Sequence, residues 1–316
     1  MRTGLPSFEQ LLAQSDVRPD PAMRFGRLPN GMAYIIRPNA TPKGTGEVRL
    51  RYDVGSLDEE TSELGFAHFV EHMAFNGSTN VPEGGMIALL ERKGLSFGAD
   101  TNASTDLEAT TYKLSLPTND ADLLDTALML MRETGSELTF APEAVEREKG
   151  VVLSERRDRN SYAYLDLVDR IAFEMPGLRM ADRMPIGTVE TISAATSESL
   201  KAFWARGYRP DRAVLTVVGD FDPAMVETAI RKHFASWQPL DTAVPDRLYG
   251  KPAVVREPAA DIHIHPALSE RINATREGEP HLAPDTVEER RREVLVWLGE
   301  AIVNRRLARL ARQEDP

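Results

Sequence analysis

The chain opens with two short stretches in which apolar and polar residues alternate, as they do in half-buried β-strands. In the first stretch, residues 24–38, Asn30 and Gly31 lie between two runs of strand character. This pair predicts a hairpin, because both residues tolerate a positive φ. The second stretch, GEVRLRYDVGS, alternates along its length. We therefore expect antiparallel sheet at the start of the chain.

The following segments carry apolar residues at helical spacing. Helices are predicted over residues 65–77, 84–94 and 119–135, and from Pro142, which suits the first turn of a helix. The segment between the second and third helices, LSFGADTNASTDLEATTYKLSLP, is rich in Thr and Ser and predicts strands with an exposed edge. This pattern is typical of helices layered on a sheet.

A second block begins near residue 199. Residues 197–237 predict helix, strand and helix, with DRAVLTVVGD as a buried strand and Asp222 at the start of the second helix. The last predicted helix begins at Thr286 and carries an apolar stripe, but no strand follows it to cover that stripe. The stripe consists of Val287, Val294, Trp297, Leu298, Ile302 and Leu310.

The pattern as a whole predicts an α+β fold of two successive α/β sandwich-like blocks, with helices layered on mixed or antiparallel sheet. We place the metal-bearing block described below at residues 22–198 and the second block at 199–316. The uncovered last helix leads us to expect that the second block is truncated at its C-terminal end.

Composition excludes several classes of partner. The 316 residues are 41% hydrophobic and carry a net charge of −11, whereas a nucleic-acid surface needs clustered positive charge, so we expect no nucleic-acid partner. No apolar run approaches the roughly 18 residues typical of a membrane span. The chain has no cysteine, so a metal site would have to use histidine and carboxylate ligands.

The stretch GFAHFVEHMAFNG places His68, Glu71 and His72 on one side of its predicted helix, since residues three and four apart are neighbours there. Two imidazoles one turn apart can bind one zinc ion, and the carboxylate between them can act beside it as a base. A lone histidine is more often an ordinary core or surface residue. The full pattern, however, is the inverted zinc motif His-x-x-Glu-His.

A third ligand has to come from elsewhere, because catalytic zinc takes three protein ligands. Glu148 and Glu155 lie seven residues apart on the helix that starts at Pro142, two turns along one face. Both could instead belong to a solvated charged face. The residues alone leave both glutamates open as the third ligand.

His263 and His265, in the segment DIHIH, would share one face of a strand and could bind a second metal ion. We favour the alternative that they lie on an exposed face, which is the commoner location of polar residues.

Four segments resemble the sequence blocks of the pitrilysin/insulinase zinc peptidases, family M16. They are GFAHFVEHMAFNGS, FGADTNASTDLEATTYKLSLP, EREKGVVLSERR and FWARGYRPDRAVLTVVGDFD. The resemblance covers nearly the whole chain from about residue 25 and is strongest to bacterial insulinase-like peptidases, often exported to the periplasm. It implies a zinc endopeptidase that hydrolyses unfolded or short peptides in that compartment.

The resemblance also implies roles for individual residues. His68, His72 and Glu155 would bind one Zn²⁺, Glu71 would be the general base, and Glu148 would support the site. A peptide substrate would pair with an edge strand formed by Asn102, Ala103, Ser104 and Thr105.

Members of this family close a chamber from two halves, and this chain resembles the metal-bearing half. We therefore expect it to be weakly active or inactive without a C-terminal half of the same protein or a homologous subunit. The alternative is a non-catalytic binding or assembly subunit of a two-chain peptidase. Such subunits usually have a damaged metal motif, whereas this motif is intact.

Overall fold

The computed structural model describes residues 13–96, 98, 101–241, 247–253, 257–273, 275 and 283–313. Residues 97, 99 and 100 of the predicted strand segment lie outside this set. The chain divides into two compact units, Ala22–Ile272 and a smaller one of Met1–Pro21 with Asn273–Pro316. The predicted boundary between residues 198 and 199 falls inside the larger unit.

A six-stranded mixed sheet forms the centre of the larger unit, in the order β1-β2-β6-β3-β5-β4. Its strands are β1 (Arg24–Arg27), β2 (Ala33–Pro38), β3 (Gly46–Tyr52), β4 (Thr101–Thr105), β5 (Thr110–Leu116) and β6 (Ala213–Gly219). Neighbouring strands are antiparallel except β2 and β6, which are parallel. β4 therefore lies at one edge of the sheet.

The central position of β6 joins the two predicted sequence blocks. β6 belongs to the second block, yet it pairs with β2 on one side and with β3 on the other. A strand with a continuous apolar run is suited to such a place, since both of its edges and one face are covered. The predicted layering of helices on a mixed sheet is confirmed, and the strands of both blocks share one sheet.

The predicted hairpin at Asn30 and Gly31 is also confirmed. β1 and β2 pair in antiparallel register, and Gly31 has a φ of 95°. The Asn30 side chain accepts a hydrogen bond from the backbone N–H of Met32 and donates to the carbonyl oxygens of Phe234 and Trp237, at 2.8 and 2.9 Å. The turn is thus fixed to the end of a distant helix.

The sheet has one buried face. Along β3, Val48, Leu50 and Tyr52 are buried, whereas Arg49 and Arg51 are exposed on the other face. This is the alternation that the sequence predicts for a half-buried strand. Helices α1, α3 and α8 contact the strands. The core lies between these helices and the buried face.

The helices of the larger unit are α1 (Phe66–Met73), α2 (Gly85–Arg92), α3 (Ala121–Ser136), α4 (Pro142–Arg159), α5 (Tyr162–Glu174), α6 (Val189–Ala194), α7 (Ser197–Gly207) and α8 (Pro223–Phe234). α4 begins at Pro142, as predicted. Asp222 caps α8 by accepting a hydrogen bond from the backbone N–H of Met225 at 2.8 Å.

The smaller unit contains α9 (Val287–Leu310). Thr286 caps it, as predicted, by accepting a hydrogen bond from the backbone N–H of Glu289 at 3.1 Å. Apolar side chains of this helix, including Val294 and Trp297, are exposed. None of the helices that the structure describes is long and apolar enough to cross a membrane.

Replacing Leu215 by Ala should lower the free energy of unfolding by about 2–5 kcal/mol. Leu215 is fully buried on β6, between two paired strands, so the shortened side chain leaves a cavity that the sheet cannot fill. Urea unfolding measures the change. Val214→Ala, on the half-buried face of the same strand, is the control and should cost much less. Equal losses in the two variants would contradict this packing.

Candidate metal centre

The α1 helix carries the predicted motif and lies at the junction of several elements. It contacts α4, α7 and the edge strand β4. His68 is buried, with 6% of its side chain exposed, while the His72 side chain is 19% exposed. The two imidazoles lie one turn apart, with their ring centres separated by 4.6 Å. His68 therefore faces the core, and His72 lies closer to the surface.

Three potential ligand atoms converge between α1 and α4. His68 Nε2 and His72 Nε2 lie 3.2 Å apart, and Glu155 Oε2 lies 3.4 and 3.3 Å from these two atoms. Donor atoms bound tetrahedrally to zinc at about 2.0–2.1 Å lie about 3.3–3.4 Å from one another. The three atoms thus have the spacing of one face of a zinc tetrahedron. His68, His72 and Glu155 form a group that could hold a metal ion.

Glu148 occupies a different position from Glu155. Its Oε1 lies 2.7 Å from Nδ1 of His72, and its Oε2 accepts a hydrogen bond from Nδ2 of Asn76 at 3.1 Å. Seven residues of helix separate the two glutamates by about 10 Å along the axis. Glu148 reaches Nδ1 of His72, whereas Glu155 reaches Nε2 of the same ring. Glu148 is placed to hold the ring of His72, with Nε2 left for an ion.

Glu71 contacts the edge strand. The hydroxyl of Thr105, the last residue of β4, donates a hydrogen bond to Glu71 Oε2 at 2.6 Å. Burial raises the pKa of the Glu71 carboxyl, and the hydrogen bond from Thr105 opposes part of this shift. Of the four residues predicted to bind substrate, Thr105 thus reaches the motif. Asn102, Ala103 and Ser104 precede it along β4.

The two histidines have different proton affinities. Burial, with the positive charges of His72 and Arg159, lowers the pKa of His68 to about 3, so its ring is neutral near pH 7. Burial would also lower the pKa of His72, but its hydrogen bond to Glu148 and the nearby carboxylates outweigh that effect and raise it. Arg159 pairs with Oε1 of Glu155, so Oε2 is the oxygen that belongs to the three-atom group.

Two residues at this site, Glu59 and Asn76, make contacts that the sequence does not indicate. Glu59 is buried and accepts hydrogen bonds from the backbone N–H groups of Gly65 and Ala67. It lies in the run DEETSE, which looks like a solvated charged segment. Asn76 lies just after α1, and its side chain donates a hydrogen bond to Glu148. Gly77, the next residue, has a φ of 106°. The pair Asn76-Gly77 is typical of a helix end and does not indicate a contact with Glu148.

The histidines of DIHIH make separate contacts. Nδ1 of His263 lies 2.9 Å from Oδ2 of Asp169, and the ring of His265 stacks on Tyr162 at 4.9 Å. Among the described residues, the group at α1 and α4 is the one with three ligand atoms close enough for a metal ion. A second metal site at DIHIH has no support in this geometry.

Two family models match the chain. The model for insulinase, peptidase family M16, matches residues 34–182. The model described as the peptidase M16 inactive domain matches residues 194–300. The two matches do not overlap, and residues 183–193 lie between them.

Relatives and known structures agree with these matches. The probable zinc protease PqqL of Escherichia coli (strain K12) is 36% identical over 230 residues, which are 73% of this chain and 25% of that protein. The chloroplastic stromal processing peptidase of Arabidopsis thaliana is 33% identical over 209 residues, 64% of this chain and 16% of that protein.

Among solved structures, the first half of the periplasmic protease PqqL from Escherichia coli has a TM-score of 0.70 and 35% identity, over 74% of this chain and 50% of that one. The chain spans about a quarter of the length of the PqqL proteins that it matches. With matches to both M16 models and this similarity to zinc proteases, the chain belongs to the insulinase family of peptidases, family M16.

Proposed function

We propose that the chain is the metal-bearing part of a zinc-dependent endopeptidase. The observation that carries this proposal is the spacing of His68 Nε2, His72 Nε2 and Glu155 Oε2, with Glu71 on the same helix as the two histidines. Relatives named as zinc proteases support the same metal and the same class of reaction. In this proposal His68, His72 and Glu155 hold the zinc ion, and Glu148 orients His72.

The reaction is hydrolysis of a peptide bond by water. Zinc, when bound, would supply a Lewis acid that polarises the carbonyl of the substrate and makes water a better nucleophile near neutral pH. Glu71 takes the proton of the attacking water and passes it to the leaving amine. The hydroxyl of Thr105 holds Oε2 of this carboxyl, so Oε1 is the oxygen that would exchange the proton.

The substrate would be an unfolded or short peptide that adds to the edge of the sheet along Asn102, Ala103, Ser104 and Thr105. Two observations support this mode of binding. β4 lies at the edge of the sheet, and its last residue touches the proposed base. Main-chain pairing accepts many sequences, because the hydrogen bonds of a strand are independent of its side chains.

The remaining proposals concern the whole protein. We infer that residues 22–198 and 199–316 are two blocks of one half of a two-half peptidase, and that a C-terminal half or a homologous subunit completes it. Alone, the chain would have little activity. A periplasmic location is supported by the solved relative described as a periplasmic protease. A non-catalytic assembly subunit is the second candidate, and the intact His-Glu-His group argues against it.

We expect the wild-type chain to bind one zinc ion. His68→Ala and Glu155→Gln should abolish this binding, because each substitution removes one of the three ligands. Glu148→Gln should keep the stoichiometry but weaken the affinity about 10- to 100-fold, as loss of a group that orients a ligand typically does. Elemental analysis and competition with a chelator measure both quantities.

Glu146→Gln is the matched control for these substitutions, since Glu146 lies exposed on the same helix. Loss of zinc in Glu148→Gln, with zinc retained in Glu155→Gln, would reverse the two assignments on α4. A folded wild-type chain that takes up no added zinc would overturn the proposed function and favour the assembly subunit.

Glu71→Gln should retain zinc and lose peptide cleavage by about 10²- to 10⁴-fold, the usual contribution of a general base. Cleavage of a fluorogenic peptide at high protein concentration measures the loss. The zinc-free wild-type chain, assayed in parallel, shows how much of the cleavage comes from a contaminating protease. The exposed Glu91→Gln, on α2, is the control. Unchanged cleavage in Glu71→Gln would exclude this residue as the base.

A further inference from the structure

The α1 helix is anchored by a carboxylate that lies outside it. Its N-cap residue is Gly65, which has no side chain to accept hydrogen bonds from the first turn. Oε2 of Glu59 accepts from the backbone N–H of Gly65 at 3.0 Å, and Oε1 accepts from that of Ala67 at 2.9 Å. Glu59 is 1% exposed. It therefore satisfies two of the N–H groups that the start of a helix leaves without partners.

The same end of α1 is pressed against the loop before α6. Gly65 and Gly187 have φ values of 93° and 65°, and their backbones are in close contact. A Cβ on Gly187 would lie 2.6 Å from Cα of Gly65, which leaves no space for a side chain at this contact. The hydroxyl of Thr191 donates a hydrogen bond to the carbonyl oxygen of Leu64 at 2.6 Å. The start of α1 is thus held from two sides.

This loop also contacts the helix that carries the third potential ligand. Nε of Arg156 donates a hydrogen bond to the carbonyl oxygen of Gly187 at 3.0 Å. Arg156 directly follows Glu155 on α4. A continuous chain of contacts therefore runs from Glu59 through Gly65 and Gly187 to Arg156, and we name these four residues the ligand clamp. It joins the helix of the two histidines to the helix of the glutamate.

His68 depends on such an anchor more than His72 does. Nδ1 of His72 is held by Glu148, whereas Nδ1 of His68 is buried without a hydrogen-bond partner among the described residues. The ring of His68 is therefore directed by packing and by the position of its backbone, which follows directly after Ala67. Metal ligands have to be held within about 0.5 Å of their working positions. A small shift of the first turn of α1 would exceed that limit.

We propose that the ligand clamp is a positioning device that fixes α1 relative to α4, so that the ligand atoms are in place before zinc binds. The proposal rests on the proposed zinc site and adds Glu59 and Arg156 to it as positioning residues. The competing explanation is that Glu59 only caps a helix and contributes to stability. The two explanations differ in whether zinc affinity changes while the protein stays folded.

The test compares matched pairs of variants. Glu59→Gln turns one acceptor oxygen into a donor that faces a backbone N–H, and Glu60→Gln makes the same change at the exposed neighbouring residue. Arg156→Gln removes the hydrogen bond to Gly187. Its control is Arg157→Gln on the same helix, whose exposed side chain donates a hydrogen bond to the hydroxyl of Ser154.

Zinc affinity is measured by competition with a chromophoric chelator, and the unfolding free energy of the zinc-free protein is measured in urea. We expect Glu59→Gln to weaken zinc binding about 10- to 100-fold. Arg156→Gln should weaken it about three- to tenfold, as the loss of one hydrogen bond does. Both controls should stay within about twofold of wild type, as expected for exposed charges.

Each outcome separates this proposal from the proposed function. A wild type without zinc binding would overturn the proposed function itself. If the wild type binds zinc and Arg156→Gln binds it equally well, the ligand clamp is overturned, even where Glu59→Gln lowers stability. If Glu59→Gln does not fold, Arg156→Gln against Arg157→Gln decides alone. Weaker zinc binding in a folded Arg156→Gln, with Arg157→Gln unchanged, supports the clamp.

Discussion

Three side-chain atoms on two helices have to meet at separations of 3.2 to 3.4 Å, and the rest of the larger unit is arranged around that constraint. The two histidines are local to α1, since one helical turn brings them together. Glu155 is more than eighty residues further along the chain. Local structure cannot place it, because β4, β5 and α3 lie between the two helices. The accuracy has to come from packing.

The sheet supplies the platform for that packing. α1 contacts β4 and β5, and α4 contacts α1, so the order of the strands determines where the two helices meet. The same order leaves β4 at the edge, with Thr105 at its end against Glu71. An edge strand has unpaired main-chain groups that can accept another strand. The proposed base and a strand edge suited to main-chain pairing thus lie together, because one short strand ends beside one short helix.

Signals that act over a few residues were readable in the sequence. The hairpin at Asn30, the start of α4 at Pro142 and the spacing of His68 and His72 depend on local geometry, and the structure shows each element where it was expected. The family resemblance implies Glu155 as the third ligand, but spacing alone cannot separate Glu148 from Glu155. Residues two turns apart share one face, so the same pattern fits either of them.

Two further features depended on contacts distant in sequence. The central position of β6 follows from its pairing with β2 and β3, and a continuous apolar run indicates burial without naming its neighbours. Glu59 lies in a charged run, and only the folded chain brings it under the first turn of α1.

The charge around the site also has to be balanced. Burial raises the pKa of Glu71, and repulsion from Glu155 adds to the shift. At His72, the hydrogen bond that the ring donates to Glu148 and the charges of Glu148, Glu71 and Glu155 outweigh burial and raise the pKa. The raised pKa of His72 reflects an excess of carboxylates around its ring, in a partly buried place where negative charge is costly. A divalent cation between His68, His72 and Glu155 would offset that excess of negative charge. Binding of the cation would therefore also stabilise the folded arrangement of the three ligands.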